Sequence, residues 1–253
     1  MRRALTAVAG LVLGLAALVG VEVLLALRRD YLPTKPVLEI EGSFGPRDGR
    51  SLRFVVLGDS TAAGIGAGDV ERSYPVLLAR RLAERLDRRV ELVSLGVSGA
   101  RVGDLVSEQV DEAKAQQPDL VFVGIGANDV THVTPLGDVR KEMGAALDAL
   151  QATDAAVAVA GAPDMRARAF LEPLRTLTGW RGRQVTAAIA DVARSRVVPV
   201  VPLAEKTQGF FGEDPERYYS ADDFHPGPHG YELWANAIEP VLLRALRAEP
   251  GGR

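Results

Sequence analysis

The chain has 253 residues, a formal net charge of −3 and 47% hydrophobic residues, enough apolar material for one α/β domain or two small ones. The slightly negative charge gives no electrostatic support for binding nucleic acid. Because cysteine is absent, disulfides, thiolate metal sites, a cysteine nucleophile and a cysteine-linked lipid anchor are all excluded.

The N-terminus carries an apolar run from Ala4 to Leu27 that is interrupted only by Glu22 and has arginine pairs at both ends. About 20 apolar residues cross a bilayer, so residues 1–29 are predicted as a transmembrane signal-anchor. A cleaved signal peptide, which would leave a secreted protein, is the alternative. A buried core helix is disfavoured because the run has no polar face. Because arginines flank both ends of the run, the positive-inside rule does not distinguish its two orientations clearly. We expect the domain to be extracytoplasmic.

Residues 30–50 are rich in proline, glycine and charge and are predicted as a linker, which leaves residues 51–253 as one folded domain. Short apolar stretches predict strands at Arg53–Leu57, Val90–Ser94, Leu120–Gly124, Ala155–Ala160 and Val197–Val201. Helical patterns alternate with them at Tyr74–Leu86, Val102–Gln116, Asp138–Ala152, Leu174–Arg194 and Pro228–Arg247. This alternation is typical of a parallel sheet covered on both faces. The irregular stretch 161–173 is expected to roof a substrate pocket.

The string Gly58-Asp59-Ser60 follows the first predicted strand of the domain and opens a glycine-rich turn. Open α/β folds place their ligand crevice at that edge of the sheet, and a serine hydroxyl there becomes a nucleophile when a base takes its proton. Asp222 and His225, three residues apart near the other end of the chain, supply an acid and an imidazole. Taken alone, Ser60 would as readily cap the following helix.

Two further segments follow strands: residues 94–99 (Ser-Leu-Gly-Val-Ser-Gly) and residues 124–129 (Gly-Ile-Gly-Ala-Asn-Asp). With these four segments in order, the chain resembles the GDSL/SGNH hydrolases over about residues 52 to 245. The resemblance implies a flavodoxin-like, three-layer α/β/α domain with a five-stranded parallel sheet, and no metal or organic cofactor. The chain departs from the common pattern of the family in two segments: the first has the sequence Gly-Asp-Ser-Thr, and the second contains Ser94.

Carried over position by position, the resemblance implies Ser60 as nucleophile, His225 as base and Asp222 as the orienting acid. Gly99 and Asn128 match the positions that, with the Ser60 backbone N–H, form the oxyanion hole. These residue types suit the chemistry, since an imidazole can move the serine proton and amide N–H groups can stabilise the oxyanion.

Other residues keep alternative roles open. Asp223 could replace Asp222 as the orienting acid, and His132 or His229 could compete with His225 as the base. Asp59 and Asp129 are expected to tie loops by accepting backbone hydrogen bonds. Nucleotide binding is rejected, because residues 64–69 do not complete a dinucleotide fingerprint and no P-loop occurs.

The sequence thus predicts a membrane-anchored or exported serine hydrolase that cleaves carboxylic esters or thioesters through an acyl-enzyme. The expected substrates are small-molecule, lipid or glycan esters, and the expected partner is a membrane held through the N-terminal helix. The alternative is a catalytically silent, membrane-tethered module that binds acylated lipid or glycan ligands. The oligomeric state is not predicted.

Overall fold

A computed structural model describes the backbone of residues 2–248, with side-chain detail for residues 8–10 and 12–248. The strands are β1 Glu41–Phe44, β2 Leu52–Gly58, β3 Val90–Ser94, β4 Leu120–Gly124, β5 Ala156–Ala160 and β6 Val200–Val201. The helices are α1 Arg2–Leu27, α2 Tyr74–Leu86, α3 Val102–Asp104, α4 Val110–Ala115, α5 Ala127–Thr131, α6 Leu136–Gln151, α7 Leu174–Ser195, α8 Leu203–Glu213, α9 Pro215–Tyr218 and α10 Pro228–Ala248. A 3₁₀ turn covers Val70–Arg72, and a π-helical turn covers Leu105–Gln109.

Within the described residues, six strands form one mixed sheet in the order β1-β3-β2-β4-β5-β6. The prediction of five parallel strands is therefore wrong by one strand. The five predicted strands are parallel, but β1 pairs antiparallel with β3, with Phe44 opposite Val90. β1 escaped prediction because it is four residues long, contains a glycine and is mostly exposed, so no apolar alternation marks it.

The domain has three layers, as its alternating pattern predicts. Successive residues of β2 point to opposite faces of the sheet: Phe54 and Val56 join a core with α2, α8 and α10, whereas Val55 and Leu57 join a core with α3, α4, α6 and α7. The interior β2 and β4 lie side by side, with Gly58 paired with Gly124. The loops that follow these two strands consequently emerge next to each other at the carboxyl edge of the sheet.

Two predicted elements are altered by local backbone geometry. The predicted helix Val102–Gln116 is divided by the π-helical turn between α3 and α4. The predicted last strand shortens to Val200–Val201, because Val197 has φ +59° and is 89% exposed, in a turn that follows α7. The sequence pattern also missed α5, α8 and α9.

The N-terminal helix α1 contains a 20-residue segment, Val8–Leu27, that is long and apolar enough to cross a membrane and is mostly exposed. A signal anchor and a signal peptide both fit such a helix near the N-terminus. Within the described part of α1, Glu22 is the buried polar residue, and its carboxylate Oε2 accepts a hydrogen bond from the Leu174 N–H at the start of α7, 2.8 Å away.

Candidate active site

Ser60 lies in the turn that follows β2, where a network of polar contacts fixes the backbone. The neighbouring Asp59 is buried, and its Oδ1 accepts hydrogen bonds from the Thr61 N–H at 3.0 Å and the Thr61 hydroxyl at 2.9 Å. Burial raises the pKa of the Asp59 carboxyl, and the Thr61 hydrogen bonds oppose that rise. Asp59 thus ties the loop, as expected, rather than contacting His225 by a hydrogen bond.

Ser60, His225 and Asp222 form one hydrogen-bonded chain. The Ser60 Oγ lies 2.9 Å from His225 Nε2, and His225 Nδ1 lies 2.6 Å from Asp222 Oδ2. Because a carboxylate can only accept, Nδ1–H donates to Asp222, and Nε2 is left to accept the serine proton. The residues are largely buried, so this chain of contacts is shielded from bulk water.

The Asp222 carboxylate is held by its own loop. Its Oδ1 accepts hydrogen bonds from the Ser220 hydroxyl at 2.7 Å, the Phe224 N–H at 3.0 Å and the His225 N–H at 2.9 Å. Burial by itself would raise the pKa of Asp222, but the hydrogen bonds from His225 and Ser220 outweigh it and hold that pKa well below its usual range. The carboxyl is consequently ionised at neutral pH.

The competing residues lie elsewhere. Asp223 adopts φ +58° and directs its carboxylate to Arg29, with Nη2–Oδ2 at 2.5 Å, and toward Arg168. His229 is exposed and lies 3.3 Å from Glu232, whereas His132 Nδ1 lies 2.9 Å from the Asn128 carbonyl. None of these three side chains contacts Ser60 among the described residues.

Of the predicted oxyanion-hole residues, Asn128 lies in α5, just after β4, and Gly99 lies in the loop after β3. Asn128 Nδ2 donates one hydrogen bond to the Ala100 carbonyl at 2.9 Å, which leaves its second N–H available. Gly99 precedes Ala100, has φ +88° and has no heavy atom within 4 Å of where a Cβ would lie. In the part of the chain that the structure describes, the Ser60 and Gly99 N–H groups have no hydrogen-bond acceptor.

A cavity of about 40 Å³ opens beside the serine. Ser60, Asn128 and His225 line it, whereas Gly99 and Asp222 do not. Pro163, Asp164, Met165 and Ala167 from the irregular loop 161–173 form one wall, as expected for the pocket roof. The rest of the wall is mostly aromatic or apolar: Thr61, Ala127, Thr207, Phe211, Tyr219, Phe224, Pro226 and Trp234.

The sequence analysis missed contacts that support this site. Gly66 packs against the His225 loop so closely that a Cβ would lie 2.3 Å from the Pro226 carbonyl oxygen. Gln109, in the π-helical turn, bonds the backbone of Gly58. Arg29 and Leu32, in the predicted anchor and linker, contact Asp222. Only the glycine-rich composition of the turn 64–68 offered a signal for any of these.

The fold and the grouping of these residues at the carboxyl edge of the sheet define an α/β hydrolase of the SGNH type. The sequence pattern of the GDSL-like Lipase/Acylhydrolase family matches residues 56–233. The chain belongs to this family.

Curated relatives resemble the chain in sequence, and a solved structure shares its fold. The chain is 34% identical over 199 residues to the GDSL-like esterase Rv1075c of Mycobacterium tuberculosis, covering 77% of this chain but only 63% of that relative. It is 29% identical over 195 residues to an acetylxylan esterase of Geobacillus stearothermophilus, covering 72% of this chain and 83% of that one. The structure of a lipase/acylhydrolase from Enterococcus faecalis shares the fold, with a TM-score of 0.62, 22% identity, and coverage of 75% and 94%.

Proposed function

We propose that the chain hydrolyses carboxylic esters with short acyl groups through an acyl-enzyme on Ser60. The observation that carries the proposal is the continuous hydrogen-bonded chain from Ser60 Oγ through the His225 ring to the Asp222 carboxylate. A nucleophile, a base and an orienting acid in this relation are the signature of nucleophilic acyl transfer. A thioester would react by the same steps.

In the proposed reaction, His225 Nε2 accepts the Ser60 proton as Oγ attacks the ester carbonyl carbon, and a tetrahedral intermediate forms. His225 then returns the proton to the leaving alcohol, and the acyl group remains on Oγ. A water molecule, deprotonated by the same imidazole, releases the carboxylic acid. Asp222 holds the Nδ1–H tautomer and stabilises the positive charge of the ring in both steps.

The oxyanion of that intermediate requires hydrogen-bond donors. We assign this role to the N–H groups of Ser60 and Gly99 and to the second N–H of Asn128 Nδ2. The Asn128 bond to the Ala100 carbonyl supports this assignment, because it fixes the amide and couples it to the loop that carries Gly99. Loss of one such donor typically costs about 100- to 1,000-fold in turnover.

The size of the cavity favours a short acyl group. About 10–15 Å³ of such volume accommodates one water-sized group, so a cavity of about 40 Å³ has room for only a few heavy atoms. An acetyl group fits within this volume, whereas a long lipid chain would have to extend out of the cavity. The acetylxylan esterase among the relatives supports a carbohydrate acetate as the substrate class.

We also propose that α1 anchors the protein in a membrane, with the domain on the extracytoplasmic side. The length and exposure of the apolar segment Val8–Leu27 support this placement. The proposed boundaries remain residues 1–29 for the anchor, 30–50 for the linker and 51–253 for the hydrolase domain. The strand β1 within 41–44 means that the proposed linker also contributes to the sheet.

The test uses the full-length protein in detergent and a fluorophosphonate probe, which phosphonylates activated serines. We expect stoichiometric labelling of the wild type and none of Ser60→Ala, with both proteins showing the same melting transition. Asp222→Asn should label slowly but measurably, because loss of the orienting acid leaves the nucleophile in place. Absence of labelling in folded wild-type protein would contradict the proposal and favour the ligand-binding alternative.

A further inference from the structure

The segment that follows α1 crosses the loop that carries the proposed catalytic acid. We call Arg29–Leu32 the N-terminal strap. The Leu32 N–H donates a hydrogen bond to Asp222 Oδ2, 3.2 Å away, and this is the oxygen that faces His225 Nδ1. The strap thus provides a second donor to the oxygen that orients the imidazole.

Arg29 binds the same loop at two points. Its Nε donates to the Asp222 carbonyl oxygen at 3.2 Å, and its Nη2 donates to Asp223 Oδ2 at 2.5 Å. The guanidinium therefore spans the peptide that joins the two aspartates. Ion pairing with a half-buried arginine also helps to hold Asp223 in its left-handed conformation, which is costly for a residue other than glycine.

Two further contacts fix the strap. The Tyr31 ring packs edge-on against Phe224, with centroids 5.5 Å apart, and Phe224 in turn lies edge-on to the His225 ring at 5.1 Å. Upstream, Glu22 docks α1 on the start of α7 through the Leu174 N–H. Contacts on both sides of the strap therefore fix its position against the domain.

We propose that the N-terminal strap is a positioning element of the active site, in which Arg29 and the Leu32 N–H hold the Asp222 loop. The inference rests on the proposed function of Asp222 and His225. It follows that the segment after α1 is required for full activity, and that cutting the chain between Arg29 and Leu32 would lower turnover as well as release the domain.

The charges around the acid decide the expected pH effect. The Asp222–His225 pair faces Asp59 from the serine loop, Tyr31 and Arg29 from the strap, Asp223 from its own loop and Tyr231 from α10. Arg168 lies behind Asp223, 3.7 Å from its Oδ1. Among the described residues, Arg29 is the positive charge that bonds the Asp222 main chain, and its removal should make protonation of the general base easier.

The experiment compares full-length variants in detergent with p-nitrophenyl acetate. We expect Arg29→Gln to lower kcat/KM by about tenfold, the typical effect of losing a charge-assisted hydrogen bond. The acidic limb of its kcat/KM profile, which reports the general base, should move to higher pH. Arg29→Lys keeps the charge and should restore the position of that limb. The exposed Arg28→Gln, with the same change in charge one residue away, should match the wild type.

The backbone donor is tested with Leu32→Pro, which removes the N–H, against Leu32→Ala, which keeps it. Leu32→Pro should lose at least about threefold more kcat/KM than Leu32→Ala. If Leu32→Pro does not fold, Arg29→Gln decides the question alone. Equal kcat/KM and pH profiles for Arg29→Gln and Arg28→Gln, or a loss of rate with no movement of the acidic limb, would overturn the inference. An inactive wild type would instead contradict the proposed function.

Discussion

The side chain of Gln109 forms a pair of hydrogen bonds with the backbone of Gly58, two residues before the proposed nucleophile. Its Oε1 accepts from the Gly58 N–H and its Nε2 donates to the Gly58 carbonyl, both at 2.9 Å. Gln109 is 1% exposed and ends the π-helical turn between α3 and α4. An interruption of the helix and the end of β2 are thereby joined beneath the active site.

Replacing Gln109 by alanine should reduce both stability and turnover. The substitution leaves the buried Gly58 N–H without this acceptor, which costs about 1–3 kcal/mol, and releases the backbone that positions Ser60. Gln116→Ala is the matched control, because the Gln116 side chain donates to the exposed Glu112 side chain. Chemical denaturation and kcat measure the two effects. Equal stability of the two variants would contradict the proposed support of β2.

Gly66→Ala should separate the serine and histidine loops. A Cβ at residue 66 would lie 2.3 Å from the Pro226 carbonyl oxygen and 3.1 Å from His225 Cβ. A displacement of about 1 Å can cost roughly 100-fold in rate. Gly68→Ala is the control, because it also has positive φ but meets no heavy atom within 4 Å. Gly68→Ala should lose only about 1–2 kcal/mol of folding free energy through backbone strain. Similar kcat values in both variants would argue that loop contact is unimportant.

His225→Ala should abolish hydrolysis of p-nitrophenyl acetate, whereas His229→Ala should keep nearly all of it. His225 alone among the described histidines contacts Ser60. His229 is on the surface of α10 beside Glu232. Initial rates at pH 8 distinguish the two variants. The reverse ranking would require a different general base.

Asp59→Asn should stabilise the protein more at pH 8 than at pH 4. Burial raises the folded-state pKa of Asp59 above its unfolded value near 3.9. The neutral Asp59 carboxyl therefore stabilises the folded wild type fully below about pH 4. This stabilisation is lost as the pH rises through the raised folded-state pKa. Asparagine keeps an oxygen for the Thr61 hydrogen bonds and has no charge to bury.

The measurement is the difference in melting temperature between Asp59→Asn and the wild type at the two pH values. Asp69→Asn is the control, because Asp69 also accepts a backbone hydrogen bond two residues on, from Glu71, but is exposed. It measures the effect of the same substitution at an exposed position. A pH-independent difference for Asp59→Asn would mean that its ionisation does not affect folding.

Acyl chain length should be limited by the wall of the cavity. We expect kcat/KM to be at least about tenfold higher for p-nitrophenyl acetate than for the octanoate ester, given a cavity of about 40 Å³. Phe211→Ala enlarges the wall and should raise the octanoate-to-acetate ratio. Phe210→Ala should leave the ratio unchanged, because Phe210 does not line the cavity. A wild-type preference for octanoate would contradict the short-acyl proposal.

Much of the fold could be predicted from the sequence, because helix α2 has strong apolar periodicity and the parallel strands are short apolar stretches. Tyr74–Leu86 was predicted with the bounds that the structure has. β1, α5 and α9 are only four or five residues long, too short to show such periodicity, and their conformations depend on what they pack against. Their positions therefore could not be read from local sequence.

For the site, the resemblance named Ser60, His225 and Asp222, and the structure places them in hydrogen-bond contact; their catalytic roles remain a prediction. Gln109, Arg29 and Leu32 lie outside the motifs, and four of their contacts have a main-chain atom as one partner. Every residue except proline has a backbone N–H, so the residue type does not reveal which N–H forms such a contact. Pairings of this kind become visible only when distant segments are placed in space.

The short strap limits how far the active site can lie from the membrane, and so restricts the location of a substrate. Only four residues separate Leu27, the last residue of α1, from Leu32 beside Asp222, and the five extended residue steps between them reach at most about 18 Å. With α1 in a bilayer, the reactive hydroxyl would work close to the lipid headgroups. An ester buried deep in an outer polymer layer would be beyond its reach, whereas one carried at the membrane surface would not.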